Sequence, residues 1–212
     1  MDPFASASEL SHAMLMGYQE GVFAMALEGP PGLDEQSVGW FDPDPRAVLG
    51  PAGLQVSRSL ERVVRRAVFE VRIDVDVQAV VRACAAAAPG REETWISPMF
   101  EDALALLAKQ GHVHTVEAWR AGELVGGVYG IHLNGVFFAE SMFSRPPEGR
   151  DASKVCLVHL AAHLKARGIN LLDCQFLSDH LEALGFVEVS RRAWRRQLKA
   201  ALMQQVTWMD EA

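Results

Sequence analysis

The rhythm of apolar and polar positions changes about halfway along the chain. Residues 6–20 (SASELSHAMLMGYQE) read as a short helix, with Ser8 or Ser6 as its cap and Gly21 as its stop. Residues 28–53 are dense in Gly and Pro, which predicts mostly loop and turn. Ser57 or Ser59 caps a predicted helix running to about Ala67, and 69–73 (FEVRI) alternates as a strand does. Asp76 to Ala88 reads as a helix ended by Pro89-Gly90. Another runs from about Ser97 to Gln110, stopped by Gly111.

After Gly111 the period shortens. VHTVEAW (113–119), ELVGGVYGIH (123–132) and GVFFAES (135–141) are strand-like runs, joined by Ala121-Gly122 and Asn134-Gly135. Asn-Gly is a strong hairpin signal, because both turn residues must tolerate positive φ. Residues 151–168 return to helical spacing, with Asp151 as the expected cap and Gly168 as the stop. INLLDCQF (169–176) reads as a buried strand, 178–184 as a short helix and FVEVS (186–190) as a last strand. Three antiparallel strands, a helix, a strand, a helix and a strand make an α+β sheet. That order matches the GNAT acyltransferase fold: a mixed, largely antiparallel sheet flanked by helices. A small N-terminal lobe over 1–68 and a catalytic domain over 69–212 are expected.

Composition narrows this picture. Half of the 212 residues are hydrophobic and 22% are charged, enough for a sizeable core. Cys84, Cys156 and Cys174 are odd in number and widely spaced, which suits a reducing cytoplasm better than a disulfide framework. The start, MDPFASASEL, lacks the basic and apolar regions of a signal peptide, and no apolar run reaches the roughly eighteen residues that span a bilayer. A cytoplasmic protein is expected.

The net charge of -7 argues against a nucleic-acid partner until its distribution is examined. Arg58, Arg62, Arg65, Arg66 and Arg72 cluster against Glu61 and Glu70, and Arg191, Arg192, Arg195, Arg196 and Lys199 occur with no acid among them. Either segment can hold phosphates, although solvated helix faces are the plainer reading of charge alone. His159 and His163 stand i,i+4, a zinc-compatible spacing, but no Glu lies between them and no third ligand is evident, so no metal is expected.

Acetyl-CoA enzymes of this fold cradle pyrophosphate with a Gln/Arg-x-x-Gly-x-Gly/Ala turn. No such sixmer occurs here; Asp151-Ala152-Ser153-Lys154 stands in its place, which disfavours a CoA donor. The strings GYQEGVFAM (17–25), DPDPRAVL (42–49), VSRSL (56–60), TWISP (94–98), LVGGVYG (124–130), ESMFSR (140–145), DASK (151–154), LLDCQ (171–175) and HLEALG (180–185) occur in a telling order. From about residue 10 to 195, the chain resembles the leucyl/phenylalanyl-tRNA–protein transferase family.

The resemblance implies aminoacyl transfer from tRNA to the N-terminal Arg or Lys of a protein, marking it for degradation, without a cofactor. By resemblance Asp173 and Gln175 are the catalytic pair, with Gln175 positioning the acceptor amine, and Glu140 faces the same cleft. As i,i+2 residues of a strand, Asp173 and Gln175 share a face. The donor's apolar side chain needs an apolar pocket, for which Trp119, Met142, Phe143, Phe138 and Met25 are candidate walls. Arg58, Arg62, Arg65 and Arg66 align with the family's acceptor-stem helix. Lys154 either binds phosphate or opens its helix, and Trp40 and Arg46 flank a turn nearby. A monomer is implied.

The chain departs from the family pattern at several points. Phe23-Ala24-Met25 stands for Phe-Pro-Met, Phe41-Asp42-Pro43 for Trp-Ser-Pro, Ala139 for Gly, Phe186 for Ala, and Val189-Ser190-Arg191 for Ile-Pro-Arg. These substitutions bear on donor and acceptor preference. An aminoacyl-tRNA-dependent amide synthase acting on a small-molecule amine is the alternative reading, and a non-catalytic tRNA-binding module is a third.

Overall fold

The computed structural model describes residues 6–27, 37–88 and 94–209. Its helices are α1 (Ala7–Glu20), α2 (Arg58–Arg65), α3 (Val77–Ala85), α4 (Pro98–Lys109), α5 (Ala152–Arg167), α6 (Asp179–Glu182) and α7 (Arg191–Leu202). Its strands are β1 (Phe23–Leu27), β2 (Ser37–Phe41), β3 (Arg46–Leu49), β4 (Glu70–Ile73), β5 (Val113–Arg120), β6 (Glu123–Leu133), β7 (Val136–Ser144), β8 (Leu171–Gln175) and β9 (Phe186–Val189).

Capping chemistry sets most helix starts. In six of the seven described helices a Ser or Asp side chain accepts a backbone N–H of the first turn: Ser6, Ser57, Asp76, Ser97, Ser178 and Ser190. Each such cap contributes about 1 kcal/mol. The exception is α5. Asp151 takes a left-handed conformation (φ 65°) and its carboxylate binds Lys154 Nζ at 2.8 Å instead of capping. Ser144 Oγ of β7 accepts the Ser153 N–H in its stead, at 2.9 Å. α3 ends at Ala85, short of the expected Ala88; its expected stop, Pro89-Gly90, lies outside the described residues.

β1 and β2 form a two-stranded ribbon, and the other seven strands form one sheet in the order β4-β5-β6-β7-β8-β3-β9. Among the described strands only β7 and β8 pair in parallel, joined by the crossover helix α5. The mixed, mostly antiparallel sheet flanked by helices is the α+β arrangement expected. The reading of 28–53 as mostly loop and turn missed two strands in its described part, β2 and β3. Their apolar residues (Val38, Trp40, Phe41, Ala47, Val48, Leu49) come in runs of one to three, broken by glycines and prolines, too short to show a period. β3, from the segment assigned to the N-terminal lobe, lies between β8 and β9 in the main sheet. The basic stretch after Ser190, left without an element at the sequence level, is α7.

Two apolar layers cover the sheet. On one face α1, α3, α4 and α7 pack through residues such as Met14, Val80, Leu104 and Trp194. On the other, α2, α5 and the C-terminal Trp208 pack through Leu60, Leu160 and Phe137. The adjacent Phe137 and Phe138 serve opposite layers, as strand alternation requires.

Candidate active site

The parallel pairing of β7 with β8 ends at Phe138 and Asp173, and beyond it the two strands part around a cleft. Both strands are irregular there. On β7, Ala139 pairs with Gly130 and Ser141 with Tyr129, so Glu140 is an extra residue that bulges from the ladder. On β8, Asp173 pairs with Val48 and Gln175 with Ala47, so Cys174 is the extra residue. Bulges re-aim side chains and recur beside active sites. Gly130 permits the first: a Cβ there would collide with the Phe138 carbonyl oxygen and the Phe137 ring.

The bulges bring Gln175 and Glu140 together. Gln175 Nε2 donates to Glu140 Oε1 at 2.9 Å. Gln175 itself holds a left-handed conformation, φ 62°, uncommon for a residue with a side chain. Asp173 fixes it, its Oδ1 accepting the Gln175 N–H at 2.7 Å. Arg46 of β3 fixes Asp173 in turn, Nε lying 2.9 Å from Oδ2 and 3.2 Å from Oδ1, with both side chains fully buried. The Arg46 guanidinium lies between two rings, 4.9 Å from Phe23 and 4.2 Å from Trp194. Its Nη1 and Nη2 have no hydrogen-bond partner among the described residues. The site is thus a relay of four residues from Arg46 through Asp173 to the Gln175 backbone N–H, and from the Gln175 side chain to Glu140.

Burial governs its protonation. The Glu140 carboxyl is raised to about 8 by desolvation, with Asp173 adding to the shift and Tyr18 and Arg46 opposing it. Asp173 is also raised by burial, against the pull of Arg46 and the Gln175 N–H. The buried Tyr18 and Tyr129 hydroxyls are raised well above their usual range, first by burial and then by the charge of Glu140. Tyr18 faces the Glu140 carboxyl without meeting strict hydrogen-bond geometry. The upward shift brings this carboxyl out of the usual carboxylate range and toward that of an amine, which suits it to exchange a proton near neutral pH.

The cleft above the relay has a volume of about 150 Å³, with Phe23, Met25, Trp95 and Phe176 as its apolar walls and Glu140, Cys174 and Gln175 completing it. Of the five pocket residues named from sequence, Met25 alone lines it. Phe138 is buried against Tyr18, with ring centroids 4.7 Å apart. Phe143 is buried beneath Arg145. Met142 packs toward the α5 layer, and Trp119 donates to Glu117 under Arg72. Sequence reasoning assigned no site role to Tyr18, Phe23, Trp95, Phe176 or Trp194. Its one available signal for Arg46 was a charge opening the apolar run RAVL.

The basic residues separate into two places. Arg58, Arg62, Arg65 and Arg66 are exposed on or at the end of α2, whose Leu60, Val63 and Val64 face the core. Lys154 lines a hollow of about 150 Å³ with Gln55, Ser57, Ser59 and His180, at the N-terminal ends of α2 and α5. His163 Nε2 lies 3.0 Å from the Trp208 carbonyl, and no described group of three or more His, Cys, Asp or Glu residues could hold a metal ion.

The sequence model described as leucyl/phenylalanyl-tRNA protein transferase matches residues 48–199. A protein named leucyl/phenylalanyl-tRNA–protein transferase from Rubrobacter xylanophilus is 52% identical over 186 residues, covering 87% of this chain and 91% of the relative. The chain belongs to the leucyl/phenylalanyl-tRNA protein transferase family. A second such transferase, from Rhodopseudomonas palustris, is 43% identical over 199 residues, covering 93% of this chain and 85% of that one. A solved ribosomal-protein-alanine N-acetyltransferase from Brucella melitensis biovar Abortus 2308 aligns at TM-score 0.37 and 15% identity, over 61% of this chain and 90% of that one. In this transferase, Glu140, Asp173, Gln175, Lys154 and α7 up to Lys199 lie inside the matched segment, while Arg46 and the Phe23–Met25 wall precede it. No described helix is long and apolar enough to cross a membrane.

Proposed function

We propose that this protein transfers leucine, phenylalanine or methionine from aminoacyl-tRNA to the N-terminal Arg or Lys of a protein, at the cleft between Glu140 and Gln175. The observation that carries this reading is the Gln175–Glu140 hydrogen bond at the mouth of a buried relay, in a chain of this family. The proposed reaction forms a C–N bond between the acceptor α-amine and the ester carbonyl carbon. The C–O bond to the ribose breaks, and the amine proton ends on the departing ribose oxygen. The ester is already activated, so the site's tasks are to orient a neutral amine and hold the developing charge.

An ionised Glu140 accepts from Gln175 Nε2 and leaves Gln175 Oε1 free to accept an N–H of the incoming amine. The same carboxylate attracts a cationic N-terminus. Asp173 and Arg46 act through Gln175, holding its backbone in the left-handed conformation that aims its amide at the cleft. The aromatic and Met25 walls take the apolar end of the donor, and a space of about 150 Å³ is enough for a benzene ring. Trp119, Met142, Phe143 and Phe138 shape the surrounding core in this reading.

The exposed arginines of α2 and the hollow at Lys154 are the proposed contacts for acceptor-stem phosphates. The division into a lobe over 1–68 and a catalytic unit over 69–212 is proposed as functional, the lobe contributing α2, β1 and Arg46. The active unit is the monomer, in the cytoplasm where charged tRNA is found. A small-molecule acceptor gains no support from relatives named for transfer to protein. A panel of charged tRNAs offered to an Arg-starting peptide and to free small amines tests the reading. Label on the peptide from leucyl- or phenylalanyl-tRNA supports it, and label only on small amines overturns it.

A further inference from the structure

α7 breaks two rules that govern charge on a helix. Its first turn carries Arg191 and Arg192 and no acid, where the helix dipole is positive and disfavours cations. Cations also repeat at i,i+4 as Arg191/Arg195, Arg192/Arg196 and Arg195/Lys199, pairs that repel. In a chain of net charge -7, neither feature serves the stability of the helix. Arg191 and Arg195 are partly accounted for, since both reach Asp42 Oδ2, at 3.2 and 2.8 Å. Arg192, Arg196 and Lys199 are different. They stand i, i+4, i+7 on one exposed face, opposite the buried Trp194, Leu198 and Ala201, and no described residue forms an ion pair with them.

The topology places this stripe beside the cleft. β3 is antiparallel to both β8 and β9, so β8 and β9 run the same way, and β7 is parallel to β8. α5 and α7 therefore both begin at the end of the sheet where Glu140 and Gln175 meet, α5 on one face and α7 on the other. The hollow joining Lys154 to Ser57 and Ser59 puts the start of α2 at that same end, on the α5 face. Two rows of arginine thus stand on opposite faces of the sheet at the cleft end. α7 is also tied to the cleft: Trp194 stacks on Arg46, and Asp42 follows Phe41, whose ring stacks on the Phe23 wall at 5.7 Å.

We propose that Arg192, Arg196 and Lys199 of α7 form a second phosphate-binding surface for the donor RNA, gripping it from the face opposite α2. The proposal rests on the aminoacyl-tRNA reading above. Seven residues of helix cover about 10 Å, room for two or three successive phosphates. Along α7 itself the exposed face lacks the aromatic and aliphatic anchors that mark protein interfaces, and the exposed Met203 lies only at the helix's far end, as its C-cap. A row of cations without anchors suits a polyanion read through its backbone.

The test measures tRNA binding by the full chain across a KCl series. It compares wild type with Arg192→Gln/Arg196→Gln/Lys199→Gln and with the charge-preserving Arg192→Lys/Arg196→Lys. The glutamine variant is expected to bind roughly tenfold more weakly at moderate salt, with a slope of log affinity against log salt shallower by about 2 to 3. The lysine variant is expected to keep the wild-type slope. Transfer from a 3′-aminoacyl-adenosine donor, which has no stem phosphates, is expected to drop far less than transfer from tRNA. An unchanged slope in the glutamine variant overturns the proposal, and if transfer to an acceptor protein falls at the same time, the stripe serves a protein partner. An equal loss with both donors also overturns it, because the effect then passes through Trp194 to Arg46. A wild-type protein without tRNA affinity overturns the underlying reading as well, whereas wild-type binding with an unaffected variant overturns this proposal alone.

Discussion

Arg46 and Asp173, 127 residues apart in sequence, form a fully buried ion pair whose backbone consequence is the left-handed turn at Gln175. Removing one partner of such a pair strands the other charge without water, at about 3–5 kcal/mol. Arg46→Ala is therefore expected to lower stability by about that amount in chemical denaturation. Arg46→Lys keeps the charge but gives up stacking between Phe23 and Trp194 and the planar fork that meets Asp173. It is expected to fold, with transfer lost mainly in kcat rather than in KM for the acceptor. Equal stability of Arg46→Ala and wild type would contradict the burial of this pair.

Gln175 allows its side chain and its backbone to be separated. Gln175→Ala and Gln175→Gly both delete the amide that meets Glu140, and only glycine relieves the positive φ. The glycine variant is expected to be the more stable of the two by about 1 kcal/mol, with both losing transfer at least about a hundredfold. A glycine variant less stable than the alanine variant would mean that the left-handed conformation is not held in solution.

Glu140 makes stability and activity run in opposite directions with pH. Its carboxyl is raised from 4.5 to about 8, so between those values the folded protein binds a proton that the unfolded chain has released. Its contribution is fully present below 4.5 and is lost as pH rises through about 8. Each tenfold change in proton affinity between the folded and unfolded chain corresponds to about 1.4 kcal/mol. Glu140→Gln should therefore gain on wild type by a few kcal/mol between pH 5 and 8.5. Transfer by wild type is expected to rise with pH as Glu140 ionises, whereas the glutamine variant should retain only the titration of the acceptor amine. Parallel stability curves for the two proteins would place Glu140 in an ordinary carboxylate environment.

His132 has the opposite sign. Burial depresses it from 6.5 to about 4, with a bond to the Asn134 carbonyl opposing, and its ring lies 5.9 Å from that of Trp208. Its contribution is present above 6.5 and is lost as pH falls through about 4. His132→Gln is expected to flatten acid denaturation across that window by up to about 3 kcal/mol, read from urea midpoints at pH 4 and 7. An unchanged acid limb would show that other groups control it.

The sequence made local features legible and distant ones illegible. β5, β6 and β7 could be read from alternation, with the Asn134-Gly135 turn (φ 53° at Asn134) fixing their hairpin. Six of the seven described helices were legible, most of them from a Ser or Asp cap one turn before an apolar face, whereas α7 was hidden by its run of arginines and the Asp151 expected to cap α5 binds Lys154 instead. β3 was not, because four residues between prolines show no period and its partners come more than a hundred positions later. Arg46 looked like a turn residue for the same reason: its burial depends on Asp173, Phe23 and Trp194, none of which is near it in sequence. Asp173, Gln175 and Glu140 came from family strings. The way they meet depends on two bulges and one positive φ, none of which alternation can announce. That Trp119, Met142, Phe143 and Phe138 do not line the cleft beside Glu140 was not legible, because strand residues such as Phe138 and Phe143 look the same from sequence whether they line a cleft or fill a core.

The most direct test of the account is single-turnover transfer of labelled leucine from leucyl-tRNA to an Arg-starting peptide, with tRNA affinity measured on the same preparations. Wild type, Gln175→Ala and Glu140→Gln are compared. The account expects transfer by wild type, loss of at least about a hundredfold in Gln175→Ala, and tRNA affinity unchanged in both variants. Full transfer by Gln175→Ala at unchanged tRNA affinity would contradict it and move the chemistry away from this cleft.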